Sequence, residues 1–173
     1  MSPVSQPHGL PFIPPAPLAP SVYTHVGLAA PNLRYDMRYH HTQLKLQLSP
    51  TALAEPASNP PLPTLSLRIA GLPWLVVVQP DSRLSPGSAI VTVQDVLSTI
   101  HFNLRKVVKP SEYDAMDRDS KAALYKAFER RVGSDPVQRG RGLRRIDFLF
   151  GHVVAQGLVR AQSKDNIWDV VVY

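Results

Sequence analysis

Arginine is concentrated in one stretch of the sequence, residues 130–145, which contains a single acid, Asp135. Its six arginines are Arg130, Arg131, Arg139, Arg141, Arg144 and Arg145. Guanidinium groups bind phosphates and carboxylates, so the stretch could bind a nucleic acid. Binders of single strands place stacking aromatics among the charges, however, and none occurs between Phe128 and Phe148. Three glycines and a proline in the stretch favour a solvated loop, with nucleic-acid binding as an alternative.

Four residues could serve in acid–base chemistry, which requires carboxylates or imidazoles. They are Asp36, His40, His101 and Asp147. His40 and His41 are adjacent and on a strand would point to opposite faces, so we expect no shared metal. The sequence has no HExxH, no GxSxG and no phosphate-loop motif. It therefore predicts no metal and no cofactor, and leaves open whether the protein is an enzyme.

A second set of residues could contact a ligand or a partner: Trp74, Phe102, Arg144, Arg145 and Trp168. Both tryptophans lie in apolar segments, where core packing is favoured over ligand stacking. Phe102 points away from the apolar stripe of its predicted helix and could pack under a loop, pack under the proline tail or contact another chain. Either Arg144 or Arg145 could instead pair with Asp147 or a helix end.

The composition is that of a globular protein, with 44% hydrophobic and 18% charged residues among 173. The net charge of +6 is compatible with an acidic partner. Because the sequence has no cysteine, disulfides, thiolate metal sites and cysteine nucleophiles are excluded.

Seven prolines lie before residue 21, so residues 1–30 are predicted to form a proline-rich extended tail. Residues 31–173 are predicted to form a single domain. The start of the chain has no basic segment followed by an apolar run, and no stretch is long and apolar enough to span a membrane. We therefore expect an intracellular protein, in the cytoplasm or the nucleus.

Strands and hairpins are predicted on both sides of a helical region. Residues 32–48 suggest one or two short strands, and residues 49–63 a proline-broken loop. Residues 64–80 predict a hairpin whose second strand, Trp74 to Val78, is nearly continuously buried. Residues 152–173 predict two strands joined by a polar turn.

Helical periodicity occupies the middle of the chain. Apolar residues from Val93 to Val107 form one stripe, and Thr92 with Asp95 has the spacing of a capping box. Ser111 and Asp114 repeat that spacing, and Asp117 to Ser120 is expected to break the second helical region. The predicted fold is α+β, an antiparallel sheet of short strands and hairpins with two or three helices packed on one face.

Several motifs together resemble a family from mushroom-forming and related fungi, catalogued as domain of unknown function 6699. The residues that carry the resemblance are Ala57, Pro60, Pro61, Pro73, Trp74, Thr92, Asp95, Val96, Leu97, Arg145, Asp147, Gly157 and Trp168. The resemblance covers about residues 30–173; where the family often has tryptophan before the first aspartate, this chain has Tyr35. It implies a common fold and a basidiomycete origin, and implies no activity.

Three functions fit the sequence. The first is a non-enzymatic module that binds a protein partner or associates with itself. The second is a small-molecule enzyme or ligand-binding protein whose pocket lies between sheet and helices. The third is nucleic-acid binding through residues 130–145.

Overall fold

The computed structural model describes residues 21–43, 48–83, 87–161 and 166–173. Within these ranges the chain forms five α-helices and two sheets, which confirms the α+β prediction. The strands are β1 (Tyr23–Thr24), β2 (Tyr35–Asp36), β3 (Ser58–Asn59), β4 (Leu65–Ile69), β5 (Val76–Val78), β6 (Val154–Arg160) and β7 (Ile167–Val172).

The larger sheet has the strand order β2-β6-β7-β4-β5, and β1 pairs with β3 in a two-stranded sheet. The two predicted hairpins, β4–β5 and β6–β7, are confirmed as antiparallel pairs. They join through β4 and β7, which run parallel with Ser66 opposite Ile167. The sheet is therefore mostly antiparallel, with one parallel pair that the sequence did not predict.

One face of the sheet is turned to the core. In β4 the buried residues Leu65, Leu67 and Ile69 alternate with polar ones. In β5, Val76 and Val78 are buried whereas Val77 is 53% exposed. The prediction of a nearly continuously buried strand is wrong here, because successive side chains of a half-covered sheet point to opposite faces.

The helices are α1 (Pro50–Ala54), α2 (Val93–Leu104), α3 (Pro110–Asp114), α4 (Arg118–Val132) and α5 (Pro136–Gly140). Short 3-10 turns cover His41–Gln43 and Arg145–Leu149. Helix α2 places the predicted apolar stripe in the core as far as Leu104, and packs beside β5. Helix α4 packs on the 3-10 turn Arg145–Leu149 through Leu124, Phe128 and Val132.

Side-chain caps mark the first turns of most of the described α-helices. The capping box of α2 is confirmed, since Asp95 N–H donates to Thr92 Oγ1 and Thr92 N–H donates to Asp95 Oδ2. The predicted Ser111 cap is wrong: α3 follows Lys109, whose N–H donates to Glu112 Oε2. The predicted break is confirmed, because Asp117 caps α4 by accepting from Ser120 N–H.

Two segments predicted as loops are partly helical. Helix α1 lies in the proline-rich segment 49–63, since Ser49 caps it and proline is tolerated in the first turn. The arginine stretch is not a solvated loop: it contains the end of α4, helix α5 and the start of the second 3-10 turn. Aspartate 135 caps α5 by accepting from the N–H groups of Val137 and Gln138.

The packed region includes residues before position 31. Strand β1 pairs with β3, and Leu28 is fully buried in the core. Residues 1–20 of the predicted tail and residues 44–47 of the predicted early strand lie outside the described residues. No helix in the described ranges has the length and apolar character needed to cross a bilayer.

Candidate functional site

A cleft of about 410 Å³ lies where α4, the turn Arg145–Leu149 and the segment after β2 meet. Its volume is in the range of small-ligand sites. The lining residues are Arg38, Tyr39, Ala127, Arg130, Arg131, Ile146, Asp147, Gly151 and Val153. Three arginines thus face a site whose remaining walls are largely apolar.

A buried ion pair forms one wall of the cleft. The side chain of Asp147 is 1% exposed, and its two oxygens accept from Nε and Nη2 of Arg131 at 2.6 and 2.9 Å. Asp147 also accepts from the backbone N–H of Arg144, and Arg131 donates to the carbonyl of Gly142. These contacts fix Arg131 in one orientation.

Positive charge exceeds negative charge beside this pair. Arg105 donates to the backbone carbonyls of Met37, Arg38 and His101. Burial lowers the pKa of Arg105, as do the charges of Arg144 and Arg131. Among the described residues, Asp147 is the one carboxylate hydrogen-bonded to a guanidinium group of Arg105, Arg131 or Arg144.

Arg144 belongs to the same group of charges. Its Nε is buried and has no hydrogen-bond partner in the described part of the chain. Burial and the nearby charges of Arg131 and Arg141 lower the pKa of Arg144. Arg105 and Arg144 therefore add positive charge near Arg131, although neither of them lines the cleft.

The rim of the cleft carries two further arginines. Arg38 donates to both carboxylate oxygens of Asp36, from Nε to Oδ1 and from Nη2 to Oδ2, the latter at 2.6 Å. Burial raises the pKa of Asp36, but the hydrogen bonds from Arg38 lower it by more, so the net pKa is lowered and the carboxylate is held in its charged form. Arg130 donates to the carbonyl of Phe150 and has no carboxylate partner within the described ranges.

Arg145 lies on the other side of the turn, away from these charges. Its guanidinium is 4.1 Å from the ring centroid of Trp74, and it donates to Glu112 at 2.7 Å and to Asn103 at 3.2 Å. Only 13% of its side chain is exposed. The structure thus brings the predicted contact residues Trp74 and Arg145 together. Through Arg145, the segment before β5 is connected to α2 and α3.

Trp168 is separate from both groups. It is 1% exposed, and its Nε1 donates to Thr24 Oγ1 at 3.0 Å. Strand β7 places it in the core, so it holds β1 against the sheet.

The histidine candidates cluster beside α2. The ring centroid of His40 lies 4.2 Å from that of His41 and 4.9 Å from that of His101. The expected opposite orientation of His40 and His41 is wrong, because His41 begins a 3-10 turn rather than continuing a strand. In the described residues no group of histidines and carboxylates has the arrangement of a metal site.

The predicted acid–base set is therefore divided. His40 and His101 are neighbours, whereas Asp36 is bound by Arg38 and Asp147 by Arg131. Phe102 is 59% exposed, and its ring lies 5.6 Å from that of His40.

Sequence reasoning did not identify Arg38 or Arg105. It noted the arginine stretch but did not single out Arg131 within it. One signal was present for Arg131: it follows Leu124, Ala127 and Phe128 at helical spacing, on the buried face of α4. For the exposed Arg38 and the half-buried Arg105, no local pattern in the sequence indicates their contacts.

A larger cavity, about 830 Å³, lies between the segment after β1 and α1. Its most reactive side chain is His25, whose Nε2 lies 2.8 Å from Glu55 Oε2. The Nδ1 of His25 accepts from the N–H of Gly27, so both ring nitrogens are engaged. Within the described part of the chain, His25 is therefore not free to act as an acid or a base in this cavity.

Comparisons with known proteins identify a family for this chain. No curated protein and no solved structure matches the chain. Residues 33–166, which include both the arginine cleft and the histidine cluster, match a family of unknown function, DUF6699. Because the match spans most of the chain, the protein belongs to the DUF6699 family.

Proposed function

We propose that the protein is a non-enzymatic binding module whose cleft receives an anionic group, carboxylate or phosphate, from a partner. The observation that carries the proposal is that three arginines, Arg38, Arg130 and Arg131, line the cleft, and that Asp147 is the single carboxylate among the described lining residues. Arginine presents paired N–H donors that match two oxygens of a carboxylate or phosphate. A bound anion would also offset the repulsion from Arg131, which adds to burial in lowering the pKa of Arg105 and Arg144.

The geometry of the two carboxylates supports binding over catalysis. Asp36 and Asp147 each accept at least two hydrogen bonds from an arginine side chain, so neither is positioned as a free proton acceptor. A general base must reach the proton that it removes. The two aspartates instead hold the side chains of Arg38 and Arg131 in fixed positions.

A small anionic ligand is the second candidate, and the observation that favours it is the size of the cleft, about 410 Å³. Nucleic-acid binding receives less support. Arg139 pairs with Glu129 and Arg145 with Glu112, so the arginine stretch does not present a continuous row of uncompensated charges.

We also propose a fungal origin and a location in the cytoplasm or the nucleus. The resemblance to a fungal family supports a fungal source, and a sequence without cysteine suits the reducing cytoplasm or nucleus. Microscopy of a fluorescent fusion in the source organism tests the location.

The test is an NMR titration of the isotope-labelled protein with inorganic phosphate, acetate and a glutamate-rich peptide. We expect shifts of resonances at Arg130, Arg131 and Tyr39, and a steep loss of affinity with added salt. The variant Arg130→Ala should bind about tenfold more weakly, which corresponds to about 1.4 kcal/mol. The matched control is Arg139→Ala, from the same stretch, where Glu129 already neutralises the charge.

The proposal is wrong if none of the three probes binds, or if the two variants bind alike. Phosphate binding without peptide binding would favour the small-ligand candidate over a protein partner.

A further inference from the structure

Three aromatic rings form a surface beside the arginine cleft, which we call the aromatic shelf: Tyr39, His40 and Phe102. Phe102 is 59% exposed and Tyr39 is 48% exposed. Phe102 packs against His40 at 5.6 Å and against His101 at 5.4 Å between ring centroids. Isolated exposed aromatics are common, but three neighbouring ones form a surface able to bind a partner side chain.

The shelf leads directly into the cleft. Tyr39 follows Arg38 in the chain, lines the cleft itself, and lies with its ring centroid 5.7 Å from the guanidinium carbon of Arg38. The contact of Phe102 with His40 thus lies one residue along the chain from Tyr39, which lines the cleft. A ligand on the shelf would have its next group within reach of Arg38 and Arg130.

The backbone below the shelf is held by side chains from the core. Arg105 donates to the carbonyls of Met37 and Arg38, and Tyr35 Oη donates to the carbonyl of Tyr39 at 3.0 Å. Burial raises the pKa of Tyr35, so its hydroxyl keeps the proton that it donates. A surface fixed before binding loses little conformational entropy when a partner arrives.

We infer that the partner is an acidic peptide that places a carboxylate or phosphate in the arginine cleft and a neighbouring aromatic or large aliphatic side chain on the aromatic shelf. This inference rests on the proposed function, because it takes the anion site as given and adds the apolar anchor. Charge complementarity selects the acidic group, and the exposed rings select its neighbour.

The distribution of charge favours a peptide over a single-stranded nucleic acid. A strand requires a groove that follows successive phosphates, with a stacking ring for each base. Here Asp36 compensates Arg38 and Asp147 compensates Arg131, so among the described residues the uncompensated guanidinium group that lines the cleft is that of Arg130. One or two acidic groups match that charge.

The experiment measures fluorescence anisotropy with two labelled peptides, Glu-Glu-Phe-Glu-Glu and the same peptide with serine in place of phenylalanine. We expect the phenylalanine peptide to bind about tenfold more tightly. Phe102→Ala should remove that advantage and leave the serine peptide unchanged, whereas Arg130→Ala should weaken both. Tyr125→Ala is the matched control, since Tyr125 is 52% exposed on α4, outside the shelf.

A phosphoserine version of the second peptide distinguishes phosphate from carboxylate as the preferred anion. If both peptides bind equally and Phe102→Ala changes neither, the inference fails and the proposed function stands. If no acidic probe binds, the proposed function fails as well. If oligothymidylate binds more tightly than either peptide and depends on Phe102, the partner class is wrong.

Discussion

Asp147 is a charged side chain almost without contact with water, and it is the residue on which the cleft depends. It neutralises Arg131 and orders the start of the 3-10 turn through Arg144 N–H. Without its charge, Arg131 would lose its compensation while the charges of Arg105 and Arg144 remained close by.

We therefore expect Asp147→Asn to lower the free energy of unfolding by about 3 kcal/mol, because removing one partner of a buried pair leaves an unpaired charge. Urea denaturation measures the change. Asp169→Asn is the control: Asp169 pairs with Arg68 where 38% of Asp169 and 58% of Arg68 are exposed. A pair in solvent contributes about 1 kcal/mol at most. Equal losses in the two variants would contradict the assignment.

The buried histidines make stability depend on pH. Burial lowers the pKa of His41 from 6.5 to about 4, helped by the nearby His40 and His101. Burial also lowers the pKa of His101 to about 4, helped by Arg105 and His40. Between pH 6.5 and pH 4 the unfolded chain therefore binds more protons than the folded one. The stabilisation is fully present above pH 6.5 and is lost as the pH falls through this window.

We expect a slope of about 1.4 kcal/mol per pH unit from each histidine in that window, measured by urea denaturation at several pH values. His101→Gln should reduce the slope, and substitution of the exposed His152 by glutamine should leave it unchanged. A slope that is the same in both variants would assign the pH dependence to carboxylates instead.

At the scale of single elements, the signals that worked were local. Thr92 and Asp95 are three residues apart, so the start of α2 could be predicted from the sequence. The pairing of Arg131 with Asp147 spans 16 residues and depends on how α4 packs on the turn after it. No spacing rule contains that information, and the cleft was therefore missed although most of its charges had been noticed.

The turn between β4 and β5 requires glycine at position 71. Gly71 has φ +90°, and an added Cβ would lie 2.5 Å from the carbonyl oxygen of Phe148. Both the backbone conformation and the space exclude a side chain.

We expect Gly71→Ala to destabilise the fold by about 3 kcal/mol, from a left-handed backbone penalty of about 1 to 2 kcal/mol and a steric term of similar size. Gly142→Ala isolates the first contribution, since Gly142 has φ +70° but nothing within 4 Å of the added Cβ. Thermal unfolding compares them. Losses of the same size in both would show that the contact with Phe148 relaxes at no cost.

At the scale of the whole molecule, the hairpins were predictable and their assembly was not. Each hairpin joins neighbouring segments of the chain, whereas β7 meets β4 across 101 residues at the contact of Asp169 with Arg68. Strand alternation predicts which side chains are buried but does not say which strand lies beside which.

Because β7 lies between β6 and β4, we expect a chain shortened to residues 1–161 to lose the cooperative fold. Circular dichroism with thermal unfolding measures this. The control is Tyr173→Ala, since that side chain lies beyond β7 and is 50% exposed, and the substitution keeps the backbone hydrogen bonds to Val154. A sharp unfolding transition in the shorter chain would show that the remaining strands form a stable sheet without β7.

The position of β7 also affects how the protein can form on the ribosome. At synthesis rates of about 5 to 20 residues per second, roughly 5 to 20 seconds pass between the translation of β4 and that of its parallel neighbour. Throughout that interval one edge of β4 has no pairing partner. The nascent chain therefore exposes an apolar strand edge that chaperones can bind, and slower translation of the intervening helices would lengthen the time at risk of aggregation.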